Sequence, residues 1–146
     1  QQMEALNKAL EAEENSLAAH MQMKMSPEGL VIELTDQRED PLFKSGSASP
    51  SPVLSKLTKI VADSFKTVAN EVKIVGHTDS YSFSGSTGYS NWELSTDRAN
   101  TARRLLSGHG FPLEQISEVS GKSSTAPLSD DPYSPQNRRI SITILN

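Results

Sequence analysis

The sequence predicts an α+β domain in which strands and helices follow the order β-α-β-α-β-β behind an N-terminal helical extension. Three observations carry this reading. Leu30, Ile32 and Leu34 alternate with Val31 and Glu33, and Ile140, Ile142 and Ile144 alternate with Ser141 and Thr143, the period-two pattern of strands with one apolar face. Between them Leu54, Leu57, Val61, Phe65 and Val68 recur at helical spacing. The third is the run Val72-Lys73-Ile74-Val75, which ends in Gly76-His77-Thr78-Asp79 and passes through a polar, glycine-containing loop into a helix opening near Asn91.

Taken in order, residues 1 to 26 are assigned to the extension and residues 27 to 146 to the domain. Met3, Leu10 and Leu17 recur at a seven-residue interval with Ala5, Ala12 and Ala19 beside them, so residues 1 to 25 read as an exposed helix. Glu13 and His20 interrupt the stripe, which leaves two readings open: a helix packed on its own domain, or a dimer contact. Ser26-Pro27-Glu28-Gly29 is turn chemistry, and Leu30 begins the first strand. In the polar connection from Asp36 to Pro50, Leu42 and Phe43 are expected in the core. Ser51 is suited to cap a helix whose first residue is Pro52. That helix leads into Val72–Val75, and a strand-helix-strand unit of this kind implies parallel strands with a right-handed crossover. The second helix has a capping box, Ser90-x-x-Glu93, and a stripe of Trp92, Ala99, Ala102 and Leu106 expected to face the core, with Gly108 and Gly110 ending it. Ile116–Val119 reads as a strand, residues 121 to 136 as a long loop, and Asn137-Arg138-Arg139 precedes the last strand.

Composition narrows the function. The chain has 146 residues and a net charge of −4, with no basic block of the kind that grips nucleic acid. It has no cysteine, which excludes disulfides and thiolate metal sites. No run of about 18 apolar residues occurs, and a chain opening on Gln1 is expected to be a soluble fragment whose signal or membrane anchor has been cut away. His77 and Asp79 share one side of a strand, but His20 and His109 lack ligand-like spacing, so a zinc site would want its third ligand. Neither a base with a nucleophile nor a metal with an open position is offered, so no catalysis and no cofactor is expected.

Gly76-His77-Thr78-Asp79, then Leu94-Ser95-x-x-Arg98-Ala99, then Asn137-Arg138-Arg139 before a terminal strand, resembles the OmpA-like peptidoglycan-binding domain. The order, spacing and element types agree over about residues 27 to 146. The enlarged loop from Ser80 to Tyr89, followed by Tyr89-Ser90-Asn91-Trp92-Glu93-Leu94-Ser95-x-Asp97-Arg98-Ala99-Asn100, is similar to the flagellar motor stator B subunits, as is Leu42-Phe43-Lys44-Ser45-Gly46-Ser47-Ala48. The resemblance implies a two-layer sandwich, a mixed sheet with helices packed on one face. It further implies a periplasmic domain of an inner-membrane protein that anchors an ion-driven stator to the wall. The partners it implies are peptidoglycan, a stator A subunit met through a membrane segment absent from this chain, the flagellar basal-body P ring and a second copy of the chain.

The ligand implied is the stem peptide of peptidoglycan, above all diaminopimelate, whose side chain ends in an ammonium and a carboxylate. Asp79 would accept hydrogen bonds from the ammonium and Arg98 would hold the carboxylate in a two-pronged contact. Backbone N–H groups from Thr78 to Ser80 would assist at the carboxylate, and Asn91, Leu94, Asn137 and Arg138 join the site by position in the family motifs. One alternative stays open, that Asp79 and Arg98 merely pair with each other. Two rivals also remain: a generic outer-membrane protein or lipoprotein tether of the same fold, and a small cell-wall hydrolase.

Overall fold

The computed structural model describes Glu4, Lys8 and residues 16–37, 39–81 and 88–146. Its strands are β1 (Met21–Ser26), β2 (Gly29–Thr35), β3 (Val72–His77), β4 (Ile116–Gly121) and β5 (Arg139–Leu145), and its helices α1 (Pro52–Phe65) and α2 (Asn91–Gly108). The strands form one sheet in the order β1-β2-β5-β3-β4. β5 runs antiparallel to both β2 and β3, which are therefore parallel to each other, as their connection through α1 predicts, but separated by one strand. β3 and β4 are parallel neighbours joined through α2.

Alternation gives the sheet two unlike faces. Leu30, Ile32, Leu34, Val72, Ile74, Ile140, Ile142 and Ile144 belong to one apolar cluster with Leu54, Leu57, Val61 and Phe65 of α1 and Ala99, Ala102 and Leu106 of α2, so both helices cover this face. Each fully buried aliphatic side chain there stabilises the fold by about 1.5–3 kcal/mol. Leu42 and Phe43 are buried in the same cluster, as expected from the sequence. The small residues of α2 let it approach closely: a Cβ on Gly76 of β3 would lie 2.0 Å from the Ser95 carbonyl oxygen. The other face carries Val31, Glu33, Thr35, Val75, His77, Arg139, Ser141 and Thr143, all nearly inaccessible.

The helix ends are written in the sequence. The Ser51 hydroxyl accepts from the Leu54 N–H and Pro52 opens α1 where no N–H is needed. Ser90 and Glu93 form the reciprocal capping box of α2. At its other end Gly110 adopts φ +98°, a left-handed conformation that lets the Phe111 N–H return to the Leu106 carbonyl.

Two expectations are corrected. The helix expected over residues 1–25 does not reach its end: Ser16–His20 is a short 3-10 turn and Met21–Ser26 is the edge strand β1, antiparallel to β2 across a turn at Pro27-Glu28. The sheet thus begins before residue 27. Met21, Met23 and Met25 alternate with Gln22 and Lys24, and pairing with β2 satisfies a strand that the heptad reading overran. The entry to β1 is clasped to the end of β2: His20 Nδ1 donates to the Thr35 carbonyl at 2.9 Å, Thr35 Oγ1 to the His20 carbonyl at 3.3 Å, and Gln37 Nε2 to the Ala19 carbonyl at 2.9 Å. Met3, Ala5, Leu10, Ala12 and Glu13 lie outside the described residues, as do residues 82–87 of the enlarged loop. Trp92, expected in the core, is 53% exposed, because in the first turn of α2 it lies beyond the part of the helix that covers the sheet.

Candidate functional site

Because β2 and β3 are parallel, both end at the same edge of the sheet, and β5 begins there. This delivers three charged side chains together: Asp36 after β2, Asp79 after β3 and Arg138 before β5. Arg138 bridges the carboxylates, donating from Nε to Asp36 Oδ2 at 2.6 Å and from Nη1 to Asp79 Oδ2 at 2.7 Å. Each carboxylate is fixed at its other oxygen by a backbone N–H, Asp36 by Leu42 and Asp79 by Tyr81. Burial disfavours the charge on Arg138, but the hydrogen bonds and charges of both aspartates outweigh it and raise its pKa.

Arg98 reaches the same edge from α2 and is held differently. Its Nε donates to the Ser47 carbonyl at 2.8 Å, and its guanidinium carbon lies 4.9 Å from the centroid of the Phe43 ring, a cation–π contact. Thr101 one turn on donates to the Ala48 carbonyl at 2.9 Å, so α2 grips the 42–50 connection at two points. Among the described residues no carboxylate lies within ion-pair distance of Arg98. Burial lowers its pKa, opposed by the charges of Asp36 and Asp79, and a guanidinium remains charged under such conditions. Asp79 therefore pairs with Arg138 and not with Arg98. A small cleft at this edge is lined by Asp36, Leu42, Phe43, His77, Arg98, Arg138 and Arg139, and Asp79 adjoins it through its bond to Arg138.

The remaining expected residues support the cleft. The Thr78 N–H donates to the Ser123 carbonyl at 2.8 Å and the Ser80 N–H to the Pro132 carbonyl at 2.9 Å, so these two donors, expected to hold a carboxylate, instead tie the strand end to the 121–136 loop. The Thr78 hydroxyl is buried without a partner. Asn91 donates to the Tyr81 carbonyl at 2.8 Å, fixing the chain beyond Asp79 to the start of α2, and Leu94 is buried. Asn137 is turned away from the cleft: its amide oxygen accepts from Leu128 and Ser129, its nitrogen donates to the Asp131 carbonyl, and it is 1% exposed. A buried amide with these bonds fastens the loop. Asp36 and Ser47 were not expected. Asp36 had a signal, since it follows its strand as Asp79 follows the parallel one; Ser47 acts through its backbone and had none.

Arg139, which also lines this cleft, is tied by its side chain to the polar face of the sheet. Its Nε donates to Glu33 at 3.0 Å, and Ser141 also donates to Glu33, while Arg139 Nη1 is buried without a partner. His77, the register partner of Arg139, is driven to a pKa of about 3 by burial and by the nearby charges of Arg139 and Lys122. It is neutral in the fold at neutral pH. The unfolded chain takes up this proton below about pH 6.5 while the folded chain does not, so stability held above pH 6.5 falls as pH drops toward 3. Between pH 7 and 5 the wild type should lose about 2 kcal/mol more than His77→Gln. Urea midpoints of the two proteins at both pH values measure this, and parallel losses would refute it.

A mixed sheet with two helices on one face and a charged cleft at its strand ends is the architecture of a known class, and the chain belongs to the OmpA family, whose model matches residues 42–141. Within it, the chain is 38% identical over 133 residues to Motility protein B of Escherichia coli K12, covering 90% of this chain and 43% of that protein. The chain thus spans less than half the length of this relative. Its structure is similar to the cell wall anchor of the T6SS from Pseudomonas aeruginosa, at 25% identity and a TM-score of 0.77, over 99% of this chain and 96% of that one. The periplasmic domain of Helicobacter pylori MotB shares the fold, with 19% identity and a TM-score of 0.74 over 92% of this chain and 86% of that one.

Proposed function

We propose that this chain is a noncatalytic peptidoglycan-binding domain that anchors an ion-driven flagellar motor stator to the cell wall, working in the periplasm as part of an inner-membrane protein. The observation that carries the reading is the division of charge at this end of the sheet: the carboxylates of Asp36 and Asp79 bridged by Arg138, and Arg98 without a carboxylate of its own among the described residues. A ligand group with an ammonium and a carboxylate, as in diaminopimelate, matches both ends. The carboxylate docks on Arg98 and the ammonium on Asp79, while Arg138 keeps Asp36 in place. Thr78, Asn91, Leu94 and Asn137 act by shaping the walls. The relative's name and the wall anchor of similar structure support the assignment. The stator A subunit, the basal-body P ring and a second copy of the chain are the partners that follow from it.

The test is sedimentation with purified sacculi. The domain should pellet with sacculi and be released by free meso-diaminopimelate; no retention, or retention indifferent to this competitor, would reject the reading. Release of soluble muropeptides from the same sacculi would instead favour a hydrolase.

A further inference from the structure

Two exposed aromatic rings stand beside the cleft and have no part in the zwitterion contacts. Tyr81 is 62% exposed and Tyr133 49% exposed, yet their ring centroids are 4.6 Å apart at an interplanar angle of 55°. Exposed aromatics on mobile tips are common and carry no message. These two are on fixed backbone. The Tyr81 N–H donates to Asp79 Oδ1 at 3.0 Å and its carbonyl accepts from Asn91 at 2.8 Å. The Tyr133 N–H donates to Asp131 Oδ1 at 3.0 Å, and the Asp131 carbonyl is held by Asn137. The Ser80 N–H to Pro132 carbonyl bond joins the two segments one residue before each ring. The same hydrogen bond that orients Asp79 thus sets the position of Tyr81.

We propose that Tyr81 and Tyr133 form a stacking subsite for a pyranose ring of the glycan strand, next to the stem-peptide subsite at Asp79 and Arg98. The inference rests on the peptidoglycan reading above and extends it from the peptide to the sugar. A pyranose presents a patch of C–H groups on one face and hydroxyls around its rim. Two adjoining phenol rings offer an apolar surface of matching kind with hydroxyls at its margin. In peptidoglycan the stem is attached to the sugar, so a ligand whose peptide end enters the cleft carries its glycan across the adjacent surface. Both residues sit on hydrogen-bonded backbone and their rings already touch, so stacking orders less than it would on free side chains.

The experiment compares two soluble probes by calorimetry: a disaccharide–tripeptide ending in diaminopimelate, and the same tripeptide without sugar. Wild type should bind the disaccharide form about tenfold more tightly than the free peptide. Tyr81→Ala and Tyr133→Ala should each remove most of that difference, and Tyr133→Ala should leave affinity for the free tripeptide unchanged. Tyr81→Phe should retain it, and Leu113→Ala, an exposed apolar residue before β4, should change neither. Equal affinity of wild type for the two probes, or equal losses for both probes in the tyrosine variants, would overturn the sugar subsite while leaving the peptide-binding reading intact. Failure of wild type to bind either probe would overturn both.

Discussion

Asp79→Asn and Arg98→Lys should each lower affinity for a diaminopimelate-ending peptide by about thirtyfold or more, with the fold preserved. Removing one partner of a desolvated, hydrogen-bonded charge pair costs about 2–5 kcal/mol, and 2 kcal/mol corresponds to about thirtyfold. Asp79→Asn keeps the shape and removes the charge an ammonium needs, while Arg138 stays paired with Asp36 through Nε. Arg98→Lys keeps the charge but loses the fork, and also the stacking over Phe43 and the Nε bond to the Ser47 carbonyl. Calorimetry with the tripeptide, alongside thermal unfolding, measures both quantities. Wild-type affinity in either variant would show that the ligand is gripped elsewhere.

The largest stability effect is expected on the other face of the sheet. Glu33→Ala should destabilise the domain by about 3–5 kcal/mol, because it strands a buried guanidinium. Arg139 is 8% exposed, its Nη1 already lacks a partner, and its Nε depends on Glu33. Ser141 would lose its acceptor as well. Replacing both charges, as Glu33→Met with Arg139→Met, should recover most of the loss, since what is costly is the uncompensated charge and not the absence of the pair. Urea unfolding of the single and double variants gives the values. A loss below about 1 kcal/mol for Glu33→Ala would mean that Arg139 finds solvent by local rearrangement.

Much of this architecture is legible in the residues, and where it is not the reason is physical. Caps and glycine stops are local chemistry, so Ser51, Ser90, Glu93 and Gly110 mark their helices without help from the rest of the chain. Strand order is not local: nothing in Ile140, Ile142 and Ile144 says that β5 inserts between β2 and β3. β1 was hidden because Met3, Leu10 and Leu17 set a helical period that runs on into alternating methionines. Trp92 shows the converse, an aromatic read as core from its type although its place in the first turn leaves it in solvent. At the cleft, Asp79, Arg98 and Arg138 were named from motifs and are brought together. Asn137 was named with them and fastens a loop, since a motif records that a residue is needed and not whether it meets the ligand.

Under the proposed anchoring role, the clasp between residues 19–20 and Thr35–Gln37 has a mechanical meaning. Met21 pairs with Leu34, so the chain enters the sheet at the edge that carries Asp36 and Asp79. Tension applied between the N-terminal side and a wall-bound cleft crosses strand ends and does not run along the strands. It meets the three hydrogen bonds of the clasp before it meets the ladder of β1 and β2, and beyond them it would open that ladder one rung at a time, as a zipper opens, with the helices unloaded.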